Sequence, residues 1–113
     1  MEAADRWEAL VATMLADGAA TYGNDGGAQR AFGSTSLKTD GKIFAMLVKD
    51  RLVVKLPATR VEELVGEDVG EAFDPGHGRI QKEWLSVYGA DPDEWQALAT
   101  ESEAFVAKRP ARP

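Results

Sequence analysis

Cysteine is absent from this chain of 113 residues. That excludes disulfides, thiolate nucleophiles and thiolate-ligated metals, and it suits a reducing compartment. Histidine occurs once, at His77, and one imidazole among scattered carboxylates lacks the ligand spacing of a zinc motif. No apolar run approaches the ~20 residues that span a bilayer. Met1 leads directly into a charged amphipathic segment, without the basic and apolar regions of a secretory leader. A cytoplasmic protein with no membrane partner is expected. Basic residues are outnumbered, and the net charge of −6 disfavours general attraction to phosphate polymers.

What is present describes one ordinary globular domain. The length fits a single core, which would bury roughly two-thirds of the surface the unfolded chain exposes. An apolar content of 44% with three Trp and four Phe separates the chain from disordered ones. Residues 1–108 are read as that domain and 109–113 as a flexible tail. Positive charge is concentrated in one stretch. Between Ala28 and Arg60, seven basic residues face two acids, a local charge of +5 that leaves −11 for the rest. Arg30, Lys38, Lys42, Arg51 and Lys55 belong to this set. The ordinary explanation is that Lys and Arg guard strand edges against pairing. The functional one is a basic sheet face open to a peptide, an acidic protein or a nucleic-acid backbone.

Hydrophobic periodicity orders the elements. Trp7, Leu10, Val11, Met14 and Leu15 form one stripe of a 3.6-residue period, predicting a helix over Glu2 to Ala16 that Gly18 ends. Turn chemistry follows from Thr21 to Gly27. The densest apolar stretch, Phe32 to Pro57, reads as three strands joined at Asp40-Gly41, a strong two-residue hairpin signal, and at Lys49-Asp50, a weaker one. The middle strand is apolar on both alternating sets. In the third, Leu52, Val54 and Leu56 face the core, with Arg51, Val53 and Lys55 on a partly wet side. Ala58 to Val65 reads as a short helix with Val61, Leu64 and Val65 inside and Gly66 as its cap. Short strands are expected around Ala72-Phe73 and from Glu83 to Val87. Asp91, Pro92 and Glu94 open the last helix with a capping box, and Trp95, Leu98, Ala99, Ser102, Phe105 and Val106 line its inner face. The order α-β-β-β-α-β-β-α predicts a two-layer α+β domain, an antiparallel sheet of about five strands roofed by helices.

Phe32-Gly33, the run Asp40-Gly41-Lys42-Ile43-Phe44-Ala45 turning into Leu52-Val53-Val54-Lys55, then Phe73-Asp74-Pro75-Gly76 and Lys82-Glu83-Trp84, resemble the TfoX N-terminal domain family. The likeness extends more distantly to YjbR-type proteins and covers roughly Trp7 to Lys108. It implies a curved antiparallel sheet with packed helices, akin to secretion-chaperone-like domains. In the family's competence regulators this domain precedes a second, helical one, and some YjbR-type relatives are labelled DNA-binding-like.

Candidate sites are few. His77 and Arg79 share a glycine-flanked loop and form a weak small-molecule or acid/base candidate, together with the segment Thr21 to Gly27. The ordinary reading is a solvent-facing loop histidine, since no nucleophile is arranged with it. Asp91, Asp93 and Glu94 are explained as helix cap and dipole partners. Glu62, Glu63, Glu67, Asp68 and Glu71 read as a solvated acidic face. Gly33, Ser34, Thr35 and Ser36 suggest a bulge and a strand face, with nothing to activate a hydroxyl. Phe44, Met46, Phe73, Trp84, Trp95 and Phe105 default to the core, and Trp7 is the aromatic most suited to a second subunit. The chain is therefore expected to be a non-enzymatic interaction domain without cofactor or metal. Its expected partner is a protein or a second copy of itself, through the basic surface of Arg30, Lys38, Lys42, Arg51 and Lys55. Weak nucleic-acid binding is the alternative, although the basic stretch lacks the interleaved aromatics of single-strand binders.

Overall fold

Two tight turns organise the centre of the molecule. Asp40 and Gly41 adopt φ of 53° and 78°, and Lys49 and Asp50 adopt 51° and 68°. Positive φ at both central residues suits a two-residue hairpin, because that turn matches the right-handed twist of the strands it joins. The second turn achieves this without glycine, which is why its sequence signal is the fainter one. The computed structural model describes residues 2–16, 21–22, 36–74 and 81–107. Its elements are α1 (Ala3–Ala16), β1 (Thr21–Tyr22), β2 (Ser36–Thr39), β3 (Lys42–Val48), β4 (Arg51–Lys55), α2 (Ala58–Gly66), β5 (Gly70–Phe73), β6 (Gln81–Val87) and α3 (Pro92–Ala107).

The order is the one predicted, with one addition. Thr21–Tyr22, expected as turn, pairs with β2 as a two-residue strand. The sheet runs β1-β2-β3-β4-β6-β5, antiparallel at every pairing. Register places Leu37, Ala45, Val54, Leu85 and Ala72 in one row across it. That row joins the core supplied by Leu10 and Met14 of α1, Val61 and Leu64 of α2, and Trp95 and Leu98 of α3. The next row, Ser36, Met46, Val53, Ser86 and Glu71, faces the other way. The architecture is a two-layer α+β fold.

Several packing expectations are corrected. Trp7 lies in the core at 2% exposure, so it offers nothing to a second subunit. Leu15 and Val65, expected inside, are each 42% exposed. Each sits at the margin of its stripe. Phe73, Trp84, Phe105 and Met46 are half-buried, not core. Val53, assigned to the wet side, is fully buried yet outside the connected core. Met46 and Ser86 flank it on its own face.

The helix ends also differ in detail. Gly66 is the last residue of α2 and not its cap. The left-handed position falls at Asp68, φ 65°, and Val69 N–H donates back to Leu64 O at 2.9 Å, the long bond of a Schellman ending. At α3, Asp93 N–H donates to Asp91 Oδ1 at 2.9 Å, so the acid cluster acts as a cap. The donor is the second helical residue, and among the described residues neither bond of the expected capping box between Asp91 and Glu94 forms. Arg60 ties α2 to α3, donating from Nε to Glu101 Oε2 at 2.7 Å and from Nη2 to Oε1 at 3.2 Å. The hydrogen bonds from Glu101 and then Glu63 raise the guanidinium pKa above its ordinary value.

Gly70 is required where β5 meets β6. A Cβ there would overlap the carbonyl oxygen of Ser86 and lie 3.1 Å from Leu85 Cδ1. Gly70→Ala is expected to destabilise the fold by about 1–3 kcal/mol, seen as a fall of roughly 10 °C in the thermal midpoint. An unchanged midpoint would show that β5 yields freely.

Candidate functional site

The site arises from an irregularity in β3. Its pairing with β2 runs Leu37↔Ala45 and then Lys38↔Ile43, which leaves Phe44 as an extra residue. A bulge of this kind disrupts the ladder and bends the strand. Phe44 and Ala45 are consequently both buried. On the other edge of β3, pairing with β4 ends at Ala45↔Val54. Beyond that point the backbone groups turn to α3 for partners. Ser102 Oγ accepts from Lys55 N–H at 3.1 Å and lies 2.6 Å from Lys55 O and 2.7 Å from Phe44 O, within donating distance of either. One hydroxyl thus stands in for the ladder where two strands part.

The parting opens a groove of about 800 Å³, lined by Lys38, Gly41, Lys42 and Ile43 from the β2–β3 hairpin, Lys55 and Trp84 from β4 and β6, and Ala104, Phe105 and Val106 from the last turns of α3. Ile43 is 39% exposed, and Trp84 and Phe105 are half-buried, so the floor is apolar. Lysines hold the rim. Lys55 Nζ stands 5.7 Å from the centroid of the Trp84 ring, a cation–π arrangement. Its ion pair with Glu83, at 3.9 Å and well exposed, is of the kind that contributes little. Lys42 has no acidic partner among the described residues. No carboxylate is among the residues lining the groove.

Three members of the expected basic set therefore come together: Lys38, Lys42 and Lys55. Arg51 does not join them. It lies four residues along β4 from Lys55, about 13 Å. Its Nη1 donates to Glu71 Oε2 at 2.8 Å, and its guanidinium sits 5.2 Å from the Tyr88 ring. A second hollow of about 490 Å³ adjoins it, lined by Lys49, Arg51, Glu71, Asp74 and Ser86 among others, and there acids offset bases. Arg30, His77 and Arg79 lie outside the described residues, as do Gly33, Ser34, Thr35 and residues 23–27. Ser36 sits opposite Met46 in β2.

Sequence reasoning missed the floor. Trp84 and Phe105 carried the composition of core residues, and only their places beside the parted strands expose them. The one available signal was register: Trp84 stands opposite Lys55, so a strand whose Lys side is open must bring that ring with it. The buried Glu103 was also missed. It accepts from Thr39 Oγ1 at 2.8 Å and anchors α3 to β2. Among the described residues there is no group of three His, Cys, Asp or Glu side chains placed to hold a metal, and no helix is long and apolar enough to cross a membrane.

These features define an α+β domain with a cationic groove over an apolar floor. No family model matches the chain, and neither does any curated protein or solved structure.

Proposed function

We propose that the protein is a non-enzymatic interaction domain, a small relative of the TfoX N-terminal family, which recognises an acidic segment of a protein partner through the groove. The observation that carries this reading is the convergence of Lys38, Lys42 and Lys55 around Ile43, Trp84 and Phe105 with no lining carboxylate. Charge range distinguishes an acidic peptide from a nucleic acid. At physiological salt an exposed charge is felt over only about 8 Å. A short segment seated in the groove meets the local lysines and little else. A long polyanion must also lie along a body that carries most of the chain's acids, which repels it.

The test is a titration at low ionic strength with an acidic peptide and, separately, with single-stranded and duplex DNA. Binding of the peptide alone is expected. The pair Lys42→Glu and Lys55→Glu should weaken it by roughly tenfold or more, because charge-assisted contacts become repulsive. Preferential binding of DNA, with a steep salt dependence, would replace this reading with the nucleic-acid one.

A further inference from the structure

We propose that the groove reads its partner by a single large apolar side chain, inserted between Ile43, Trp84 and Phe105, with carboxylates on both sides of that anchor meeting the lysines. This inference rests on the acidic-segment reading and specifies its ligand. Three observations lead to it.

The first is the state of the backbone at the gap. Where β3 and β4 separate, unpaired N–H and C=O groups would ordinarily call for a polar ligand. Here Ser102 Oγ already accepts from Lys55 N–H and gives its one hydrogen to Phe44 O or Lys55 O. An acceptor pushed into the gap would find the Lys55 N–H already taken and would lose its hydration. An apolar group incurs no such penalty.

The second is the exposed apolar surface itself. Ile43 is one of few large hydrophobic side chains among the described residues that are substantially exposed, and it borders the half-buried rings of Trp84 and Phe105. Contiguous apolar surface ringed by polar groups is the mark of an interaction site, and buried aromatic anchors in such pockets dominate binding.

The third is where the charges stand. Lys38 and Lys42 rise from the two arms of the β2–β3 hairpin, whereas Lys55 rises from β4 across the gap. Cations on opposite rims match a ligand with acids on either side of its anchor. A ligand with one charged head and a long tail would leave one rim unused.

The probe is an N-acetylated, C-amidated pentapeptide in which phenylalanine is flanked by two acidic residues on each side, compared with the same peptide carrying alanine at the centre. Trp7 and Trp95 are buried at 2% and 1% exposure, so a ligand-dependent change in emission reports on Trp84. The phenylalanine peptide is expected to shift that emission saturably and to bind at least about tenfold more tightly than the alanine peptide. Phe105→Ala should erase the preference while keeping the salt dependence. Ile43→Thr, a substitution at an exposed strand position, should reduce the preference even if Phe105→Ala fails to fold. Equal affinity for the two peptides would overturn the anchor and leave the acidic-segment reading standing. Binding of neither would overturn both. An emission shift with dodecanoate but neither peptide would assign the groove to amphiphiles and overturn the proposal. So would a shift driven by protein concentration alone, which would assign it to a second copy.

Discussion

Trp95→Ala is expected to remove about 3–5 kcal/mol of stability, the usual range for truncating a buried aromatic. A domain of this size commands only about 5–15 kcal/mol in all, so the variant should lose a large share of its stability and unfold at a clearly lower urea concentration. Trp95 earns this position by serving three elements. Its ring is 1% exposed within the core, where α1 and α3 pack together. The Arg6 guanidinium of α1 sits 5.1 Å from its centroid. Its Nε1–H donates to Gly89 O at 2.9 Å, fixing the loop that leads into α3. Trp95→Phe should separate these roles, losing the hydrogen bond for about 1–2 kcal/mol while keeping most of the packing. Urea denaturation of the three proteins decides the matter. A Trp95→Ala midpoint close to that of the parent would mean that α1 is held by something other than this ring.

Ser102→Ala is the second large effect and the more diagnostic. Helix propensity alone favours alanine over serine, by about 0.5 kcal/mol. The expected result has the opposite sign, a loss of about 2–3 kcal/mol, because the backbone groups of Phe44 and Lys55 are left without a partner in a buried setting. Amide exchange at Lys55 should quicken more than exchange at Val54, whose residue remains paired with Ala45 and Leu85. A neutral or stabilising substitution would show that water or a small strand shift replaces the hydroxyl.

Much of the architecture was legible because it depends on neighbours in the chain. Asp40-Gly41 announces its turn by steric preference, and the stripes of α1 and α3 repeat at helical spacing. Features that depend on distant partners were not legible. The bulge at Phe44 leaves no mark in the strand, since the side chain that meets its carbonyl, Ser102, lies 58 residues away. The basic residues were countable, but their grouping was not. Arg51 is withdrawn from the set by Glu71, which β6 brings alongside from a later part of the chain, while Lys38 and Lys42 are carried to Lys55 by the bend in β3. Leu15 and Val65 show the limit of periodicity. A stripe identifies the inward side of a helix without telling how far along it the contact persists.

The position of β6 has a consequence for assembly of the molecule in time. The β2–β3–β4 meander closes through two-residue turns and can form from contacts near in sequence, the kind that favour rapid folding. β5 touches the sheet only through β6, which lies between it and β4. Joining β6 to β4 closes a loop of roughly thirty residues, at a larger entropic penalty than either hairpin. The β5–β6 pair with α2 is therefore expected to dock onto the meander late. Under mild denaturant its amides should exchange before those of β3, and equal protection of Leu85 and Leu47 would show otherwise.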